Sequence, residues 1–179
     1  MDTAHGDHLT LSDIAMTVHI GAHVDAPNHY ANNGVGIDER PLEFYIGPCQ
    51  VIRVDVRATR IRPDDLQHEK IKAPRVLFAT GTFLDPNRWR DDFASLSPEL
   101  IDNLADQGVR LVGIDTPSID PSDSKSLESH NAIAKHDMAI LEGIVLTCVE
   151  PGLYTLIALP LRLRGCDASP VRAILAKPV

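Results

Sequence analysis

The sequence predicts an α/β fold built on a mixed sheet with two or three helices. Three observations lead there. Apolar, β-branched runs at 49–56, 75–80 and 109–114 read as strands. Helix-start signals fall between them, at Pro63-Asp64-Asp65 and Ser97-Pro98-Glu99, so strands alternate with helices. At 179 residues the chain is long enough to bury about 68–70% of its unfolded surface in one domain, without help from disulfides.

Each element follows in order. Residues 9–18 alternate and are β-rich, which predicts a strand feeding the segment 19–30. Pro27 biases Ala26 toward extended geometry and stops ladder pairing at its own nitrogen. Asn32-Asn33-Gly34 and Gly36 mark 31–40 as a loop. Pro41 with Leu42, Phe44, Tyr45 and Ile46 fits a short helix or turn. Residues 49–56 form a strand, and 63–71 a helix with a proline and two acids in its first turn. The strand at 75–80 is ended by Gly81. Residues 82–95 read as irregular, and Trp89 there caps the core or, as the alternative, walls a pocket. Ser97 is the N-cap and Pro98 the first residue of a helix whose apolar face is Leu100, Ile101 and Leu104, and Gly108 stops it. A buried strand at 109–114 ends at Asp115. Residues 126–136 look helical, with Leu127, Ile133 and Ala134 inward. An apolar strand at 138–147 is interrupted by Glu142-Gly143, another covers 153–163, and 169–176 accommodates a short helix.

Charge and composition exclude several classes. A net charge of -8 opposes binding to nucleic acid, whose phosphates want a basic surface, and to an anionic membrane surface. No apolar run approaches the ~20 residues of a spanning helix. The opening Met-Asp-Thr-Ala-His-Gly-Asp-His is acidic and polar, unlike a secretory signal. Cys49, Cys148 and Cys166 are scattered, with no C-x-x-C. They predict reduced thiols, each a small buried apolar residue, and a cytoplasmic setting.

Residues 19–30 read His-Ile-Gly-Ala-His-Val-Asp-Ala-Pro-Asn-His-Tyr. Imidazole and carboxylate together suit zinc, manganese or iron. On a helix Asp25 would lie roughly 200° from His23, but in an extended chain His19, His23 and Asp25 share one side. Gly21 leaves room between the two imidazoles. The turn after Pro27 can bring His29 back over a metal without coordinating it. Burying these side chains without a ligand would leave several polar groups needing partners. Further along, Glu142 sits in an apolar strand. A carboxylate there needs a partner, a metal ion or an arginine, or its pKa rises until it is neutral. His130 falls on the helix upstream, and His136 reads as structural or solvated.

The pattern H-x-G-[AT]-H-x-D-x-P-x-H, matched here down to the spacers Gly21 and Pro27, resembles the signature of the metal-dependent cyclase/amidohydrolase family that includes bacterial kynurenine formamidases. Ile20 stands where the family usually has Thr. The likeness extends to residues 112–118 and 167–173 and covers about residues 9–177. It implies a swivelling β/α/β fold, a homodimer and a small-molecule substrate. It implies two divalent ions, zinc with manganese also accepted, held by His19, His23, Asp25, His130 and Glu142. Asp25 would bridge them, and His130 and Glu142 would bind the second. The implied reaction is hydrolysis of N-formyl-L-kynurenine to L-kynurenine and formate in tryptophan degradation. The metals would acidify water, and the unliganded His29 would carry a proton to the leaving aryl nitrogen. No Gly-x-Ser-x-Gly elbow offers a competing route. A lactam hydrolase of the isatin type and a non-catalytic metal-binding protein are the alternatives. Relatives carry a longer segment before the motif, with a Pro-Gly-Asp turn and an aromatic that helps bind substrate. Only eighteen residues precede His19, so the expectation is one domain over 1–179 lacking that segment.

Overall fold

The computed structural model describes residues 1–55, 59–66 and 68–177. In chain order these form β1 (His23–Asp25), β2 (Ile46–Arg53), β3 (Arg60–Ile61), β4 (Arg75–Ala79), β5 (Ser95–Leu96), α1 (Pro98–Asp106) and β6 (Leu111–Ile114). Then come α2 (Glu128–Lys135), β7 (Ala139–Glu142), β8 (Gly152–Ile157), β9 (Ala168–Pro170) and β10 (Ile174–Ala176). Eight strands make one mixed sheet in the order β10-β8-β2-β4-β6-β7-β1-β9, and β3 pairs with β5 apart from it. The pairs from β2 through β4 and β6 to β7 are parallel, while β8, β10, β1 and β9 add antiparallel flanks. The α/β class with a mixed sheet and two helices is therefore as expected.

The central strands read as unbroken apolar runs because both of their faces are covered. Val76, Phe78, Val112, Ile114 and Ile140 cluster with Leu100, Ile101 and Leu104 of α1 and Ile133 of α2. Their neighbours in sequence, Leu77, Ala79, Leu111, Ala139 and Leu141, cluster with Tyr45 and Leu156 on the other side. The period of two sorts one run into two cores. Helix α1 starts as its sequence dictates: the Ser97 hydroxyl accepts from the Leu100 N–H at 3.2 Å, and Pro98 occupies the first turn. Gly108, at φ +82°, closes it in the left-handed region.

Several elements differ from expectation. Residues 9–18 form no strand, because no segment pairs with them among the described residues, and Leu11, Ile14 and Met16 are exposed. The helix expected at 63–71 is only a 3-10 turn, Pro63–Leu66, with residue 67 outside the described residues. Beyond it the Gln50 side chain anchors the backbone at Lys70 and Lys72. Its Nε2 donates to the Lys70 carbonyl at 3.0 Å, and its Oε1 accepts from the Lys72 N–H at 2.7 Å. The strand expected at 49–56 begins three residues early and ends at Arg53, and residue 56 lies outside the described residues. The strand expected at 153–163 stops at Ile157. Residues 169–176 hold β10 and most of β9 instead of a helix, since β1 and β8 offer open backbone to pair with. Pro170 is tolerated because β9 lies at the sheet's edge. The three cysteines are free, but only Cys49 is buried and Cys148 is exposed.

Candidate metal centre

The short strand β1 carries two of the expected residues. Val24 points into the apolar cluster with Leu141, so His23 and Asp25 point to the opposite face. Antiparallel pairing with β7 sets His23 across from Glu142, which brings the far end of the chain to the motif. The extended geometry expected from His19 onward holds only from His23. Gly21, at φ +59°, bends the chain before it, and His19 reaches Asp25 across that bend, with Nδ1 at 3.2 Å from Oδ1.

His130 is placed by a different device. Leu127, ahead of α2, sits at φ +47° and offers no side-chain cap. The buried Asp120 caps the helix from upstream, accepting the Ser129 N–H at 3.0 Å and the His130 N–H at 3.1 Å. The same carboxylate accepts the His130 Nδ1–H at 2.8 Å and an Arg60 N–H at 3.1 Å. One acid thus fixes both the helix start and the ring it presents.

The three rings share one arrangement. Each spends its outer nitrogen on an acceptor: His19 Nε2 on Asp167 Oδ2 at 3.0 Å, His23 Nδ1 on the Gly21 carbonyl at 2.8 Å, and His130 Nδ1 on Asp120. That orients each ring so that its inner nitrogen faces Asp25, carrying a proton in the imidazolium form and a ligating lone pair once the ring is neutral. The inner nitrogens of His23 and His130 both lie 3.4 Å from Asp25 oxygens. Glu142 stands 3.3 Å from His23 Nε2 and 3.7 Å from His130 Nε2, and also accepts the Ile119 N–H at 2.6 Å. So the partners of Glu142 are imidazoles and a backbone N–H rather than an arginine.

These residues fit a divalent cation. Both oxygens of Asp25 are buried without a hydrogen-bond partner, a costly state for a carboxylate with no counter-charge. Two donors bound ~2.0–2.2 Å from one ion at a tetrahedral angle sit about 3.3–3.5 Å apart, which matches the nitrogen–oxygen spacings here. The electrostatics agree. Burial opposes protonation of His19, but Asp25 and Asp167 outweigh it and raise its pKa to about 9. Burial of His130 is likewise overcome by Asp120, Asp25 and Glu142, to about 10. Burial alone would favour a neutral Asp25, yet His130, His19 and His23 hold its carboxyl well below the usual range. The centre stabilises positive charge, whether carried by protons or by a metal ion.

His29, on the 3-10 turn Pro27–His29, brings a ring nitrogen within 4.8 Å of ligating atoms of Asp25 and His130. Its Nδ1 donates to Asp167 at 3.2 Å. His136 pairs with Asp102 on α1, at 2.6 Å, away from the centre. Asp120 and Asp167 are two further contributors to which the sequence motif assigns no role. Trp89 does not cap the core. It is 65% exposed, packs edge-to-face on Phe83 and Phe93, and with Phe83 and Ile144 lines a cleft of about 220 Å³ that reaches His19 and His23.

Gly143 follows Glu142 at φ +64°, and a Cβ there would fall 2.2 Å from the Gly21 carbonyl oxygen. Gly143→Ala should therefore push the Glu142 end of β7 off the His19–His23 bend. The expected result is weakened metal binding and a protein destabilised by ~1–3 kcal/mol in urea unfolding. Unchanged affinity and stability would show that the two segments are not in contact.

The family described as putative cyclase matches residues 2–121. A kynurenine formamidase of Bordetella avium is 50% identical over 168 residues, covering 93% of this chain and 80% of that one. The kynurenine formamidase of Bordetella pertussis is 48% identical over 168 residues, covering 93% of this chain and 80% of its own length. A solved structure described as a potential metal-dependent hydrolase with cyclase activity superposes with a TM-score of 0.84 at 33% identity, covering 91% of this chain and 81% of that one. Isatin hydrolase A of Labrenzia aggregata shares the fold, with a TM-score of 0.71 at 24% identity over 91% of this chain and 75% of its own. The histidine–aspartate cluster and the metal-dependent relative together indicate a metal centre.

Proposed function

The chain belongs to the putative cyclase family, and we propose that it hydrolyses N-formyl-L-kynurenine to L-kynurenine and formate, a step of tryptophan degradation. The observation that carries this reading is the convergence of three oriented imidazoles on the buried carboxylate of Asp25, beside an aromatic-walled cleft that reaches His19 and His23. His19, His23, Asp25, His130 and Glu142 would hold the metal, two divalent ions, zinc or manganese, being the complement this donor set suits. When bound, the ions supply Lewis acidity, which makes water a nucleophile near neutral pH and polarises the formyl carbonyl.

The chain's own groups do the rest. Asp120, Asp167 and the Gly21 carbonyl hold the ligand rings in one tautomer. His29, with Nδ1–H given to Asp167, has Nε2 free to take a proton and return it to the leaving aryl nitrogen. Phe83 and Trp89 offer flat apolar surface to an aryl ring. Among the described residues no helix is long and apolar enough to cross a membrane. The free cysteines suit a reducing cytoplasm. The proposed oligomer is a homodimer, supported by the exposed apolar side chains of Leu153 and Ile174 on the β8–β10 flank, and sedimentation of the purified protein checks it.

The test is turnover of N-formyl-L-kynurenine by metal-loaded protein, beside a panel of aryl formamides and lactams. Loss of activity with a chelator and its return with zinc or manganese is expected. Preference for a lactam would move the substrate to the isatin type. Bound metal without turnover on any amide would make the chain a non-catalytic metal binder.

The raised histidine pKa values give a second expectation. Metal needs neutral imidazole, and in the metal-free protein His19 and His130 stay protonated up to about 9 and about 10. Calorimetric titration of zinc in buffers of different ionisation enthalpy, at about pH 7.5, should show net release of protons. The release should vanish above about pH 10. In the metal-free protein the raised pKa stabilises the fold fully below about pH 6.5, and that contribution is lost as pH rises through about 10. Zinc uptake without proton release at neutral pH would contradict this arrangement of charge.

A further inference from the structure

We propose that Asp167 is a positioning residue that yokes the metal-facing ring of His19 to the proton-carrying ring of His29 through one carboxylate oxygen. Its catalytic half rests on the function proposed above. Oδ2 of Asp167 lies 3.0 Å from His19 Nε2 and 3.2 Å from His29 Nδ1. The two rings stand 4.1 Å apart between centroids, tilted by 39°. An ionised carboxylate oxygen has lone pairs for two N–H donors, so a single atom satisfies both rings.

The backbone places this oxygen deliberately. Asp167 precedes β9, and its carbonyl accepts the Ala26 N–H at 2.8 Å, between the end of β1 and the turn that carries His29. The contact is on the open side of the centre, with the Asp167 side chain 44% exposed, so it is not core packing. Without an outer acceptor an imidazole is free to turn over or change tautomer, and His19 would then lose the lone pair it aims at Asp25. His29 would lose the bond that keeps Nε2 available. Because both bonds end on one atom, a shift of either ring displaces the other.

The experiment is a double-mutant cycle, read together with the visible absorption of cobalt(II)-loaded protein. Asp167→Ala should lower kcat ~10–100-fold with little change in KM, and should alter the cobalt bands. Asp167→Asn keeps an acceptor oxygen and should recover most of kcat. In a His29→Ala background the loss from Asp167→Ala should shrink, since part of its effect passes through His29. Equal losses in both backgrounds overturn the proposal, and so does a cobalt spectrum identical to that of the unaltered protein. If the unaltered protein shows no turnover, the proposed substrate fails. The cobalt spectrum then decides alone: a change on Asp167→Ala supports the yoke and no change overturns it.

Discussion

Asp25→Asn should abolish stoichiometric metal binding and lower turnover of N-formyl-L-kynurenine by more than the ~10²–10³-fold typical of removing one electrostatic contact from a site. The substitution keeps the shape and removes the charge. In the native centre Asp25 faces ring nitrogens of His19, His23 and His130 at 3.2 Å, 3.4 Å and 3.4 Å, and its own oxygens have no other partner. An amide would present an NH2 to the rings in place of a carboxylate oxygen and leave Glu142 as the anion that faces both His23 and His130. Metal content by elemental analysis and circular dichroism on the same sample check it. Full occupancy with native activity would show that Asp25 does not lie at the centre of the ligand set.

His29→Ala should separate binding from chemistry. Its ring nitrogen lies near Asp25 and His130, but its Nδ1 is already given to Asp167. Its side chain is more exposed than those of the three rings that face Asp25. The expected result is metal content unchanged and kcat reduced ~10²–10⁴-fold, the usual worth of a positioned proton donor. Loss of metal in this variant would make His29 a ligand and transfer the proton step to another group.

What was legible in the sequence, and what was not, divides along a physical line. Strands β2, β4 and β6 and helix α1 were readable because burial on both faces, or on one stripe with an N-cap and a left-handed stop, writes itself locally. The strand expected at 9–18 has alternation but no partner among the described residues, and alternation alone does not make a sheet. Strands β9 and β10 are three residues each, too short for a periodic signal, and exist because β1 and β8 had open edges. The motif residues were legible because their spacing is chemical as well as structural. Glu142 could be suspected from an acid in an apolar strand, but its pairing opposite His23 is a fact of register. Asp120 carries no local sign, and Asp167 opens a stretch of family likeness that assigns it no role. Each lies in a turn-rich stretch where an acid is commonplace, and only folding sets it against an imidazole. Trp89 is open to two readings for a related reason: a lone aromatic on an irregular segment does not reveal whether it faces a core or a cleft.

The most direct test of the central claim is anomalous diffraction from crystals of zinc-loaded protein, recorded at the zinc absorption edge. Two peaks that share Asp25, each with a histidine nitrogen or a Glu142 oxygen at ~2.0–2.2 Å, are the expected result. Zinc bound elsewhere, with Asp25 and Glu142 left facing only each other's imidazoles, would contradict the account.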